Sequence, residues 1–225
     1  MAGLFLLLAV SGLSILYGRH FLPELVGRSL FADYLQLCKL GHNYLGPLFI
    51  AGLLLMVVKW LKNNIFNGDD IDWFMQGGGM LKGRHPHAGY MNGGEKAWFW
   101  LLTLAGMLIA LSGLVLDFPA FIERRDDFQL ANLIHAGASV VVLCGAFAHI
   151  YIGTIGTEGA LEGMVTGQVD ENWAKQHHDL WYQQLSNQQD AAEDQGVAEQ
   201  QTAEQIAEET ETTVQKEKEQ RLAGQ

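Results

Sequence analysis

Cysteine is nearly absent from this chain: Cys38 and Cys144 are the only two in 225 residues. Neither belongs to a C-x-x-C pattern, which excludes covalent C-x-x-C-H haem attachment and a thiolate zinc ribbon. A metal centre here must rest on histidine. Charge is also scarce, at 17% of residues, and it is unevenly placed. From Ser186 to Gln225 ten acidic residues stand against three basic ones, so this stretch supplies minus seven of the formal net charge of −11. The acidity therefore says little about partners of the main body, and no nucleic-acid partner is expected. The same stretch has no aromatic residue and is mostly Gln, Glu, Ala and Thr. It lacks the apolar surface to form a core and reads as a disordered or frayed-helical acidic tail. Finally, no basic residue precedes the first apolar run, whereas a signal peptide carries a charged n-region and a small-residue cleavage site. The segment VSGLS (Val10 to Ser14) could serve as such a site, which keeps that reading open. The expectation is a transmembrane helix whose first turn or two precede Met1.

What is present is long apolar sequence. Four runs stand out, Ala2 to Tyr17, Tyr44 to Leu61, Ala97 to Leu116 and Leu130 to Ile155. About 20 apolar residues cross a hydrocarbon core, so the last three read as full spans and the first as a shortened one. The expected fold is all-α. It comprises a four-transmembrane-helix bundle over residues 1–160, a cytoplasmic membrane-proximal segment over 161–185 and the acidic tail over 186–225. The connection between the second and third runs carries five basic residues, Lys59, Lys62, Lys82, Arg84 and Lys96. The other two carry three (Arg19, Arg28, Lys39) and two (Arg124, Arg125). Basic residues favour the inside, which places the middle connection and both termini in the cytoplasm. Gly77, Gly78 and Gly79, Pro86, and the Gly93 and Gly94 pair break that connection into irregular backbone. A faint repeat is also visible: SGL occurs at Ser11 to Leu13 and at Ser112 to Leu114, each followed by a helix opening near a histidine. Small residues that let membrane helices approach closely are a sufficient reason for it.

The fourth run carries His135 and His149. Ionisable side chains at membrane depth are costly and usually functional. Fourteen residues is close to four helical turns, so both imidazoles leave one face, about 21 Å apart along the axis. That spacing describes two sites stacked through a membrane. His42 opens the second run at the depth of His135, and two neutral imidazoles on facing helices are what a six-coordinate b-type haem requires. Gly46, Gly137 and Gly145 could leave room for the macrocycle. Two other readings stay open: histidines hydrogen-bonded to neighbouring helices, and a zinc site, which would need additional ligands. His149 has no counterpart at its depth. His20 lies at the wrong end of the first span, and His85, His87, His177 and His178 could reach it only if loop or tail folded back. The missing partner is expected to be a histidine a few residues before Met1.

At this point the chain resembles a known family, the membrane-bound b-type cytochrome (gamma) subunit of respiratory formate dehydrogenase. The resemblance covers nearly all of residues 1–185. It is carried by FLLLAVSGLSILYGR in the first span, the histidine opening the second, MNGGEKAWFW leading into the third, LIHAGAS and AHIYIGTIGTEGALEGM in the fourth, and VDENWAKQHHDLW after it. It implies a di-haem cytochrome b bundle that conducts electrons from an iron-sulfur (beta) subunit to a quinone. Through that subunit it would connect to a molybdenum- or tungsten-dependent catalytic (alpha) subunit, in the bacterial inner membrane and among its lipids. Carried over by position, His42 and His135 match the ligands of the outer of two haems b, and His149 matches one ligand of the inner haem. The family's other inner ligand precedes the first segment of this sequence. The family's quinone site uses an N-x-G-[QE]-K turn, here Asn92, Gly93, Gly94, Glu95 and Lys96, with Asn92 and Gly94 as the implied donors to quinone. The same residues read without the resemblance are a turn capping the third helix.

Formate oxidation itself is not expected here, because no span offers a molybdenum or selenium ligand set. The expected role is electron transfer within a formate dehydrogenase complex, together with quinone reduction. The alternatives are the cytochrome b subunit of a hydrogenase or another periplasmic oxidoreductase, and a membrane anchor that has lost electron transfer.

Overall fold

A computed structural model describes residues 1–79, 86–121 and 124–223, of which 79, 121, 208–209 and 211–223 are described by their backbone alone. The basic residues Lys82 and Arg84 and the candidate His85 lie outside the described residues. The helices are α1 (Ala2–Tyr17), α2 (Leu22–Val26), α3 (Arg28–Trp60), α4 (Gly68–Met75), α5 (Gly93–Asp117), α6 (Arg125–Tyr151), α7 (Ala160–Thr166), α8 (Glu171–His177) and α9 (Asp179–Ala223). No strand occurs among the described residues. Four segments are long and apolar enough to cross a membrane, Ala2–His20, Arg28–Asn64, Gly93–Asp117 and Arg125–Gly156. The expected all-α four-span bundle is therefore present. α1 packs beside α3, α5 beside α6, and α3 meets α5 across the middle.

The first helix begins and ends where its apolar run does. The second span differs. α3 starts at Arg28 and runs for 33 residues, so His42 lies well inside the helix and does not open it. Arg28, Asp33 and Lys39 interrupt the apolar run, but they are exposed and leave the backbone hydrogen bonds of the helix untouched. Hydropathy thus marked the part of α3 suited to lipid and missed the part before it. Gly27, with φ 87, makes the turn from α2 into α3, a conformation that glycine adopts without a Cβ penalty.

The interior is thin and rich in small residues, with Ala105, Ala131, Ala138 and Val142 buried beside Leu53 and Phe99. A Cβ on Gly106 would stand 2.7 Å from Leu53 Cδ2, so α3 and α5 touch there because one of them has no side chain. Large apolar residues such as Leu7, Val10, Leu55 and Val58 are exposed. That surface would be a liability in water and is the ordinary outer face of a bundle in lipid. α6 widens at its end into a π-turn over Ile152–Gly156. Beyond it the acidic tail is helical, as part of α9. Over residues 186–223 the helix suits the Ala, Glu and Gln content, since these are strong helix formers.

Candidate functional site

α3 and α6 bring His42 and His135 together. Their ring centroids are 6.2 Å apart and their planes are 75° from parallel. An imidazole–metal bond is about 2 Å and the nitrogen sits about 1.1 Å from its ring centre, so two axial imidazoles on one metal have centroids about 6.3 Å apart. The observed separation matches that value.

The hydrogen bonds around the two rings favour one tautomer. Ser11 Oγ on α1 lies 2.9 Å from His42 Nδ1, and its one proton goes to Leu7 O at 2.7 Å. With that proton on Leu7 O, Ser11 Oγ is the acceptor for the His42 Nδ1 proton. Around His135 the carbonyl of Ile109, which can only accept, lies 3.0 Å from Nδ1. Ser112 Oγ lies 3.2 Å from the same nitrogen while donating to Leu108 O at 2.5 Å. Both Nδ1 atoms carry the proton, and each Nε2 retains the lone pair a metal needs.

The glycine after each serine completes the arrangement. A Cβ on Gly12 would stand 3.1 Å from His42 Cε1, and one on Gly113 3.1 Å from His135 Cε1. The SGL repeat is therefore more than helix packing, because the small residue admits an imidazole ring and the hydroxyl holds it. Of the glycines expected to leave room for a macrocycle, Gly46 and Gly137 face open space. Gly145 does not, since a Cβ there would stand 2.6 Å from Trp98 Cζ3. Its space belongs to the indole.

The opposite end of the bundle is built otherwise. His149 is exposed and stacks on Trp98, centroids 4.9 Å apart and planes within 11°. Asn92 caps α5: its Oδ1 accepts from Glu95 N at 2.9 Å, and its own N–H donates to the Glu95 carboxylate at 2.8 Å. Gly94 is half-buried beneath Trp73, whose Cη2 would be 2.8 Å from a Cβ there. Lys96 and Asp70 form a buried ion pair at 2.8 Å, with residue exposures of 6% and 4%. Asp70 also accepts from Asn67 N, in the capping box that opens α4.

Loop and tail do fold back at this end, but onto each other. Asp179 accepts from Ala88 N at 2.9 Å and pairs with His87. His178 Nδ1 donates to Gly89 O at 2.8 Å, and Leu180 N to Ala88 O at 3.1 Å. His177 tilts against Trp173. The Asp179 hydrogen bond holds the His87 pKa above the usual imidazole range. Burial pushes Asp179 up, but the Ala88 amide and His87 outweigh it and hold the carboxyl below its usual range.

Comparison with known proteins agrees with this layout. Residues 1–167 match the pattern of the prokaryotic cytochrome b561 family. The chain belongs to that family. It is 27% identical over 186 residues to the nitrate-inducible formate dehydrogenase cytochrome b556(Fdn) subunit of Escherichia coli K12, covering 80% of this chain and 83% of the relative. It is 28% identical over 185 residues to the cytochrome b556(fdo) subunit of formate dehydrogenase from the same strain, covering 80% and 84%. The corresponding subunit of Haemophilus influenzae is 26% identical over 170 residues, covering 73% and 71%. The resemblance read from the motifs is thus borne out. A prokaryotic cytochrome b561 implies haem b, and the His42 and His135 pair fits one haem iron by separation and tautomer. His149 brings one imidazole, and the ring it touches is Trp98.

Sequence reasoning missed Ser11, Ser112, Trp73, Trp98 and Asp70. The SGL repeat was the available signal for the serines. For Trp98 it was the pairing of an aromatic with Gly145 at one depth on neighbouring helices.

Proposed function

We propose that this cytochrome is the membrane electron-transfer subunit of a formate dehydrogenase, passing electrons from an iron-sulfur subunit through two b haems to a quinone. The observation that carries this reading is the His42 and His135 pair, two imidazoles in the ligating tautomer at the separation of axial ligands on one metal. The relatives are formate dehydrogenase subunits, which supports the formate side. Haem b, when bound, supplies one-electron redox chemistry. His42 and His135 hold the outer haem near the electron donor, and His149 supplies one ligand to the inner haem. The positive-inside bias supports a cytoplasmic position for both termini and for the Asn92 end of the bundle, in the bacterial inner membrane.

Quinone binds in this proposal at the Asn92 end. Asn92 Oδ1 is committed to the cap, so Nδ2 is its donor to a quinone carbonyl. Trp73 stands over Gly94, and its indole offers a flat surface for the ring. Reduction of the haem absorption bands by formate, in membranes holding the assembled complex, tests the reading. Formate is expected to reduce both haems, and added quinone to reoxidise them. Reduction by hydrogen and not by formate would move the chain to a hydrogenase, and no reduction by either would make it an anchor.

A further inference from the structure

We infer that Ser11 and Ser112 are paired positioning residues for the two ligands of the outer haem, and that they act unequally, Ser11 setting the haem's redox potential more strongly than Ser112. The inference rests on the reading of His42 and His135 as ligands.

The two halves of the bundle repeat one device. In each, a serine on the first helix faces a histidine on the second, Ser11 on α1 toward His42 on α3 and Ser112 on α5 toward His135 on α6. In each, the serine spends its proton on its own helix, four residues back at Leu7 or Leu108. The hydroxyl oxygen is thereby turned into a fixed acceptor aimed at Nδ1. An acceptor on the far nitrogen fixes ring orientation and raises the basicity of the ligating one. A more basic imidazole stabilises the ferric over the ferrous state, which lowers the midpoint potential.

The halves differ in what remains when the hydroxyl is removed. His135 keeps the Ile109 carbonyl at 3.0 Å, closer than Ser112 at 3.2 Å. His42 has Ser11 at 2.9 Å, and its carbonyl neighbour Leu8, the counterpart of Ile109, is the weaker contact. The glycines leave each ring little freedom to turn, since each ring carbon Cε1 already stands close to the backbone beside it. The 75° between the rings is then a property of the scaffold, and it predicts the strongly anisotropic low-spin ferric signal of near-perpendicular axial imidazoles.

The experiment is redox potentiometry and electron paramagnetic resonance on the assembled complex in membranes, using Ser11→Ala, Ser11→Thr and Ser112→Ala, with the inner haem as internal standard. Ser11→Ala is expected to raise the outer-haem potential and shift its low-field signal. Ser112→Ala is expected to do the same by a smaller amount, and Ser11→Thr to restore the parent values. Loss of the outer haem in Ser11→Ala, with retention at the parent potential in Ser11→Thr, also supports the assignment. Equal behaviour of Ser11→Ala and Ser11→Thr overturns it, as does a larger shift in Ser112→Ala. A His42→Ala protein that keeps the outer low-spin haem refutes the ligand reading itself. Haem loss on that substitution, with an unmoved potential in Ser11→Ala, refutes only the role of the serines.

Discussion

The two ends of this bundle solve the problem of buried polar groups in different ways. At the His42 and His135 end, one device occurs twice, and each imidazole is satisfied by a serine or a carbonyl from the neighbouring helix. At the Asn92 end an asparagine capping box recurs, at Asn67 and Asn92, but the other polar groups are each satisfied differently: an imidazole stacks on an indole, a lysine meets an aspartate and a loop is clipped by a later helix. The first end surrounds its imidazoles with hydroxyl and carbonyl acceptors, and Asp117 is an acidic group that acts on both rings. The second end pairs its charges with each other, Lys96 with Asp70 and His87 with Asp179.

The comparison breaks most visibly at the ligands. Replacing His135 by Ala is expected to remove one haem per polypeptide, read as the haem-to-protein ratio of the purified complex and loss of one component in the reduced spectrum. Retention of two low-spin haems would overturn the assignment of that end.

Next in size is the ion pair. Removing one partner of a buried pair leaves an uncompensated charge and costs about 3–5 kcal/mol. Lys96→Met alone should therefore sharply lower the thermal stability of the complex in detergent, whereas Lys96→Met combined with Asp70→Leu should recover most of it. A double variant as unstable as the single one would show that the pair does more than neutralise itself.

Smaller again is the capping asparagine. Asn92→Ala removes a cap worth about 1 kcal/mol together with the proposed quinone donor. Asn92→Asp keeps the acceptor oxygen and loses only the Nδ2 donor. Quinone reduction is expected to fall in both with haem spectra intact, and unchanged quinone kinetics in Asn92→Asp would leave Asn92 as a cap alone.

The smallest effect concerns the clasp of His87 and Asp179. A histidine with a raised pKa contributes fully below its unfolded value and loses that contribution as pH rises through its folded one. An aspartate with a lowered pKa contributes above its unfolded value and loses it as pH falls through its folded one. The loop should therefore be held most firmly between about pH 4 and 6.5 and loosen as the pH rises through the raised value for His87. Amide hydrogen exchange at Ala88 and Leu180, corrected for the intrinsic pH dependence of exchange, measures this. Greater protection at alkaline pH would contradict it.

Much of this could be read from the residues alone. The four spans follow from apolar length, and the pairing of His42 with His135 follows from matched depth on facing helices. The start of α3 was missed because Arg28, Asp33 and Lys39 look like loop residues when hydropathy is the only guide. Gly145 was read as room for a macrocycle because a glycine announces space without saying whose. The SGL repeat was visible, and its meaning was not, since the partner of a serine in a helix is chosen by the neighbouring helix.

By itself the sequence determined an all-α membrane protein with histidines at two depths, because lipid admits only segments that satisfy their own backbone and helical period converts spacing into depth. Only the tertiary structure decided which nitrogen of each imidazole carries its proton, which glycine faces a ring, and that Asn92 caps α5 while Trp73 covers Gly94. The reason is physical. Hydropathy and period are properties of one segment, whereas a hydrogen bond or a close contact between helices belongs to two segments, and their relative rotation is set by how the whole bundle packs.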